Sequence, residues 1–249
     1  ATTNATSSTG VTMHNVSFET DPYNPPNGFG ISNSSGTGDV TTIQTATPRT
    51  GLRNLRIALT RNSSSDYRNE MSSNVDKTFP FCTSLAAPTP VEQWLGVSIR
   101  LIAPYVTDTL EENIFQWHNE NSVQGVFQPT WGASPILSLS PWTNGTIVLR
   151  NRWCNFITGD PSRPANGGQF AGAGFENKFS LGTFANDVGH WMDIVVHVIW
   201  DWRPTGGTGK LELWKKSPTT TAGAWSQLVN HTGATGVNDY TNTYQAALH

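Results

Sequence analysis

Ile194-Val195-Val196-His197-Val198-Ile199-Trp200 is an almost unbroken apolar run, entered through His190-Trp191-Met192-Asp193 and followed by the turn residues Pro204-Thr205-Gly206-Gly207-Thr208-Gly209. A run of this kind reads as a strand covered on both faces, the most buried strand of the chain. His197 within it reads as a satisfied core histidine rather than a catalytic one. The residues after the turn, Lys210-Leu211-Glu212-Leu213-Trp214, alternate and supply the partner of a hairpin. The same alternation recurs upstream. Leu55, Ile57 and Leu59 interleave with Asn54, Arg56 and Ala58, and Val97, Ile99 and Leu101 point inward with Ser98 and Arg100 outward, closed by Pro104. Leu137, Leu139 and the stretch 146–153 continue the pattern, with Val148, Arg150 and Arg152 sharing a face. Helical periodicity is nowhere sustained. Short strands separated by turn signals imply an all-β fold, a two-sheet antiparallel sandwich.

Chain totals narrow the class. A single domain is expected over residues 1–249, with 1–15, rich in Thr, Ser and Asn, as a flexible leader. Charged residues make up only 13% and the net charge is −3, so neither composition nor any basic run favours nucleic acid as a partner. No apolar run approaches the ~20 residues needed to cross a bilayer, so no membrane partner is expected. The chain does not open with a charged segment before an apolar core, and any secretory signal is expected to have been removed. Six Asn-x-Ser/Thr sequons, at Asn4, Asn15, Asn33, Asn62, Asn144 and Asn230, hint at a secreted glycoprotein. Cys82 and Cys154 form one disulfide in an oxidising compartment or remain two buried thiols, and their spacing matches no redox or metal motif. A monomer is expected.

The stretch Asn113-Ile114-Phe115-Gln116-Trp117-His118 is the chemical candidate. Extended, it places Gln116 and His118 on one face with Ile114, and Phe115 and Trp117 on the other. An amide donor two residues from an imidazole is half of an acid–base site, or a half-buried strand whose histidine is merely satisfied. Arg68 and Glu70 share a face as a structural ion pair or as a substrate-facing pair. Arg150 and Arg152 face either solvent or an anionic ligand. Trp131 and Phe127, in the loop 119–135, are core lids or sugar platforms. Residues 158–189, rich in Gly and Phe, read as the largest irregular region, a lid or binding loop.

Taken in order, six segments resemble the heparin-lyase-I-like and glucuronan-lyase-like polysaccharide lyases. They are Tyr67-Arg68-Asn69-Glu70-Met71, Glu92-Gln93-Trp94-Leu95-Gly96-Val97-Ser98, Phe115-Gln116-Trp117-His118, Pro135-Ile136-Leu137-Ser138-Leu139, Gly189 through Val198, and Gly209 through Trp214. The resemblance implies a jelly roll of the concanavalin A-like lectin/glucanase type that cleaves an acidic, uronic-acid-containing polysaccharide such as glucuronan by β-elimination. It assigns Gln116 and Arg68 to neutralising the uronate carboxylate, and His118 with a C-terminal tyrosine to the base and acid. Arg150, Arg152, Trp131 and Glu70 would contact substrate. Related proteins close on a strand like Tyr-x-Lys-x-Gly-x-Tyr, whereas this chain has Tyr244-Gln245-Ala246-Ala247-Leu248-His249. The lysine and the second tyrosine are missing, so truncation, an acid role for Tyr244 or Tyr240, and loss of lyase activity all stay open. A structural Ca2+ held by Glu19, Asn238 and Asp239 is also implied, and no organic cofactor. A hydrolase on such a sandwich needs paired carboxylates, commonly Glu-x-Asp-x-x-Glu, a run the chain lacks. The alternative is a non-catalytic carbohydrate-binding module using Trp131, Trp142, Trp153 and Trp117 as platforms.

Overall fold

The computed structural model describes residues 5–6, 12–13, 29–33, 40–58, 69–73, 91–105, 113–120, 136–153, 176–201, 203, 205–217, 223–236 and 243–248. Of these, the side chains of 5–6, 12–13, 29–33, 40, 69–73, 91, 118–120 and 243–248 lie outside the description. The chain divides into two compact units, residues 1–76 with 245–249 and residues 77–244.

The first unit holds β1 (Ala5–Thr6), β2 (Thr12–Met13), β3 (Phe29–Asn33), β4 (Val40–Gln44), β5 (Asn54–Ala58) and β6 (Asn69–Ser73). Antiparallel pairs join β1 to β2, β3 to β6 and β4 to β5. The β4–β5 connection turns through Thr47 and Gly51, both at positive φ, and Asn54 Nδ2 pins it by donating to the Ala46 carbonyl at 2.7 Å.

The second unit holds β7 (Val91–Arg100), β8 (Phe115–Glu120), β9 (Leu137–Pro141), β10 (Thr146–Arg152), β11 (Glu176–Thr183), β12 (Trp191–Trp200), β13 (Lys210–Lys216) and β14 (Ser226–Thr232). A last strand, β15 (Thr243–Leu248), pairs through Ala247 and Leu248 with Ser72 and Met71 of β6. In the second unit one sheet runs β11-β10-β9-β8 and the other β14-β13-β12-β7, all antiparallel. A 3-10 turn, Phe184–Asn186, carries the chain from the first sheet to the second. Among the described residues the architecture is thus all-β, an antiparallel sandwich.

Period-two alternation builds the core between these sheets. On the first sheet Phe115, Leu139, Leu149 and Phe179 stand in one cross-strand row, and on the second Leu95, Val196, Leu213 and Val229 do the same. Leu139, Leu149, Val196, Leu213 and Val229 are at most 2% exposed, so truncating any of these leucines to Ala would cost about 2–5 kcal/mol. Polar staples hold the ends. Asn151 Nδ2, buried, donates to the Ala234 carbonyl at 2.9 Å, and Lys215 pairs with Asp187. After β12, Asp201 accepts from the Arg203 and Thr208 backbone N–H groups and from the Arg203 guanidinium. Burial alone would raise the Asp201 pKa, but these donors outweigh it and hold the carboxyl below its ordinary range. Gly209 passes close enough to Gly233 that a Cβ there would run into its carbonyl oxygen.

Two expectations need correction. The run 194–200 is not covered on both faces: Met192, Ile194, Val196, Val198 and Trp200 enter the core, while Trp191, Asp193, Val195 and Ile199 on the opposite face are partly exposed. Among the strands whose side chains are described, β9 is the one buried along its whole length. The region 158–189 is also not wholly irregular, since β11 and the 3-10 turn occupy its second half. The alternation of Glu176, Lys178 and Ser180 with Asn177, Phe179 and Leu181 was present in the sequence, behind a glycine-rich approach.

Candidate active site

The outward face of the first sheet gathers the polar candidates. Because Phe115 and Trp117 point into the core, packed edge to face at 4.4 Å, the strand period turns Gln116 the other way. Register then extends the row: Gln116 lies opposite Ser138, Ser138 opposite Arg150, and Arg150 opposite Lys178. Neighbours along these strands add Ser140, Arg152 and Glu176 to the same face. This face is not open polar surface. Gln116 is 5% exposed, Ser138 and Ser140 are fully buried, and the Arg150 and Arg152 side chains are 13% and 8% exposed.

A tight hairpin places the aromatic cover. Trp142 N donates to the Thr146 carbonyl and Gly145 N to the Trp142 carbonyl, both at 2.8 Å, with Gly145 at φ 80, a left-handed conformation that glycine adopts without strain. Asn144 Oδ1 accepts from Thr146 N and Oγ1 and locks the turn. Trp142 is thereby folded back over Arg150, whose guanidinium carbon is 5.5 Å from the ring centre, and over Lys178, whose Nζ is 5.0 Å away.

Electrostatically the face is cationic among the described residues. Glu176 Oε1 lies 2.8 Å from Arg150 Nε and 3.1 Å from Arg152 Nε, and its Oε2 lies 3.0 Å from Lys178 Nζ. Arg152 is aligned to donate to that oxygen, whereas Arg150 Nε is close to it without hydrogen-bond alignment. Three cations surround a single carboxylate. Ser138 Oγ and Trp142 Nε1 are buried with no hydrogen-bond partner among the described residues, a costly condition for polar groups. A face that gathers Arg150, Arg152 and Lys178 with a buried amide, a buried hydroxyl and an indole N–H is suited to an oxygen-rich anion.

The sequence candidates divide as follows. Gln116, Arg150 and Arg152 come together on this face. Neither arginine points to solvent; both engage Glu176. His118 lies on β8, Glu70 on β6 and Tyr244 on β15, but their side chains are outside the description. Arg68, Trp131, Glu19, Asn238, Asp239, Cys82 and Cys154 lie outside the described residues. Trp117 is no sugar platform: at 3% exposure it is part of the core. His197 is satisfied but not in the core. It lies on the outward face of the second sheet, its Nδ1 2.7 Å from Glu212 Oε2 and its Nε2 2.8 Å from Glu92 Oε1. Ser138, Glu176 and Lys178 escaped the sequence reading because cross-strand register, not chain spacing, brings them to Gln116. Among the described residues no group of three His, Cys, Asp or Glu gathers to hold a metal ion, and no helix is long and apolar enough to cross a membrane.

A family model described as polysaccharide lyase matches residues 12–247. No curated protein matches the chain.

Proposed function

The chain belongs to the polysaccharide lyase family, and from that premise we propose that it cleaves a uronic-acid-containing polysaccharide, such as glucuronan, by β-elimination. The observation that supports the acidic substrate is the row Gln116, Ser138, Arg150 and Lys178, which brings two cations to the same face as a buried amide.

The chemistry dictates the roles. The C5 proton of a uronate is hardly acidic, because its removal builds a second negative charge beside a carboxylate. Fixed donors and countercharge must stabilise that enolate-like state, as an oxyanion hole does. Gln116 would donate its amide N–H to the carboxylate and Arg68 would supply the countercharge. A base removes the C5 proton, the freed electron pair forms the C4=C5 double bond, the C4–O4 bond breaks, and an acid returns a proton to O4. His118 and Tyr244 would divide these two tasks. A tyrosine ordinarily titrates near ~10, so Tyr244 needs a cationic neighbour, Arg68 or protonated His118, to act near neutrality. Arg150, Arg152, Trp131 and Glu70 would hold neighbouring sugars. A structural Ca2+ on Glu19, Asn238 and Asp239, secretion and a monomeric state complete the proposal.

The test is to incubate the protein with glucuronan, alginate and heparin-type polymers and follow the ultraviolet absorbance of the unsaturated uronate. Growth of that signal, abolished in Gln116→Ala and in His118→Ala, is expected. New reducing ends without the chromophore would replace elimination by hydrolysis. Tight binding with neither signal would leave a carbohydrate-binding module.

A further inference from the structure

The outward face of the second sheet carries a built feature that elimination does not use. Trp94 on β7 stands directly opposite His197 on β12, and the two rings stack with centroids 4.0 Å apart and planes 11° from parallel. The Trp214 ring follows at 5.7 Å and 14°. Trp94 is nevertheless 60% exposed. The imidazole closes one face of its indole, and most of the remaining ring surface is open. Its orientation is set from beneath and from the side. His197, 6% exposed, is held between Glu212 and Glu92, and Trp94 Nε1 donates to the same Glu92 oxygen at 3.2 Å.

A second observation is independent of the ring. Gly96 is two residues from Trp94 on the same strand face, and a Cβ built there would meet nothing within 4 Å. Glycine inside a strand weakens it and often marks a close approach by another molecule. The space beside the indole is open. Beside it stands the Glu92 carboxylate, and across the same sheet face, beyond His197, follow Glu212, Lys210, whose Nζ is 2.9 Å from Glu212 Oε2, and Gln227, whose Nε2 donates to Glu212 Oε1 at 3.1 Å.

A lone exposed hydrophobic residue needs no explanation. An indole locked by a stack and a hydrogen bond differs, because the ordering cost of binding is met before a ligand arrives. A flat apolar ring fringed by polar groups matches the face of a pyranose, which offers C–H groups to the ring and hydroxyls to the fringe. Charge selects the kind of sugar. A polymer with a carboxylate on every residue would face Glu92, 58% exposed in its side chain, and Glu212 behind it. A neutral sugar would not be repelled. We propose that Trp94, backed by His197 and bordered by the open space at Gly96, binds a neutral pyranose glycan on the sheet opposite the candidate active site. The inference stands apart from the lyase reading, and its test does not use turnover.

The full chain, made in a bacterial host so that Asn230 on the same face carries no glycan, is run in native gels containing a soluble β-1,4-glucan, β-1,3-glucan, mannan or xylan, with a uronate polymer as control. Retardation by at least one neutral polymer is expected. Trp94→Ala and Gly96→Leu should each weaken it by about tenfold in Kd or more, with thermal melting and retardation by the uronate polymer unchanged. If Trp94→Ala lowers the melting temperature, Gly96→Leu, whose side chain enters open space, decides alone. Indifference to every neutral polymer, or undiminished retardation of a stable Gly96→Leu, overturns the proposal.

Discussion

The outward faces of the two sheets use one device for different ends. On the first, Trp142 lies over Arg150 and Lys178; on the second, Trp94 lies over His197. In both, a flat ring roofs a charged or ionisable group that is also tied to glutamate. The remainder differs. Among the described residues the first face sets three cations around Glu176 and buries Gln116, Ser138, Ser140 and most of both arginines, leaving Lys178 at its edge half exposed. The second sets two carboxylates around a single imidazole and leaves the ring itself in solvent. Alternation along a strand determines which side chains face outward. Charge sign and cover decide what such a face can hold.

The largest effect should come from the cationic side. Arg150→Gln keeps Glu176 paired with Arg152 and Lys178 but removes a charge beside Ser138, and it should raise KM for a uronate polymer by about 10- to 10²-fold, the scale of one lost hydrogen bond between charged groups. Retardation by neutral glycans should not change. A parallel loss in both assays would mean that the two faces are not independent.

Next is His197→Ala on the other sheet. It removes the imidazole that bridges Glu92 and Glu212 and the support of Trp94, and urea unfolding should register a loss of about 1–3 kcal/mol. The acid limb should change as well. Burial alone would raise the Glu212 pKa, but hydrogen bonds from His197 and Lys210 outweigh it and hold it below its ordinary 4.5. Its contribution is therefore present above that value and is lost as the pH falls through the depressed folded-state value. The variant should show a weaker dependence there, with uronate turnover near wild type.

Smaller still is Ser138→Ala. Its hydroxyl is buried without a described partner, so its removal should leave stability unchanged or raise it by up to ~1 kcal/mol, while KM for the uronate polymer rises. A clear loss of stability would mean that the hydroxyl is bonded in the free protein.

How much of this was legible in the sequence depends on the range of the interaction. Strands at 54–58, 91–100 and 146–152 followed from alternation because each residue's face is a local property. Gln116 and Arg150 were legible as outward-facing residues for the same reason. Their alignment through Ser138 was not, since β8 and β10 meet only across β9. The apolar run at 194–200 misled because β-branched residues suit a partly covered face as well as a core, and what covers His197 there is Trp94, 103 positions earlier by register with β7. Glu176 and Lys178 were hidden by the glycines before them.

The smallest predicted effect lies between the faces, where it should touch both. His231 on β14 sits against Phe179 of β11, with ring centres 5.4 Å apart, and its Nε2 is 3.4 Å from Asn177 Nδ2, so it closes the edge at which β11 and β14 meet. Burial pushes the imidazole below its ordinary 6.5. A base with a depressed folded-state pKa takes up its proton more readily in the unfolded chain. Its neutral form therefore costs nothing above about 6.5, and stability declines as the pH falls from there toward the folded-state value. The melting temperature should drop modestly over that window, and His231→Phe should flatten the drop. Because the seam supports both sheets, His231→Phe should change uronate turnover and neutral-glycan retardation by the same factor, relative to wild type, at any given pH. A decline equally steep in His231→Phe would place the titrating group elsewhere. Unequal factors would mean that the substitution reaches one face alone.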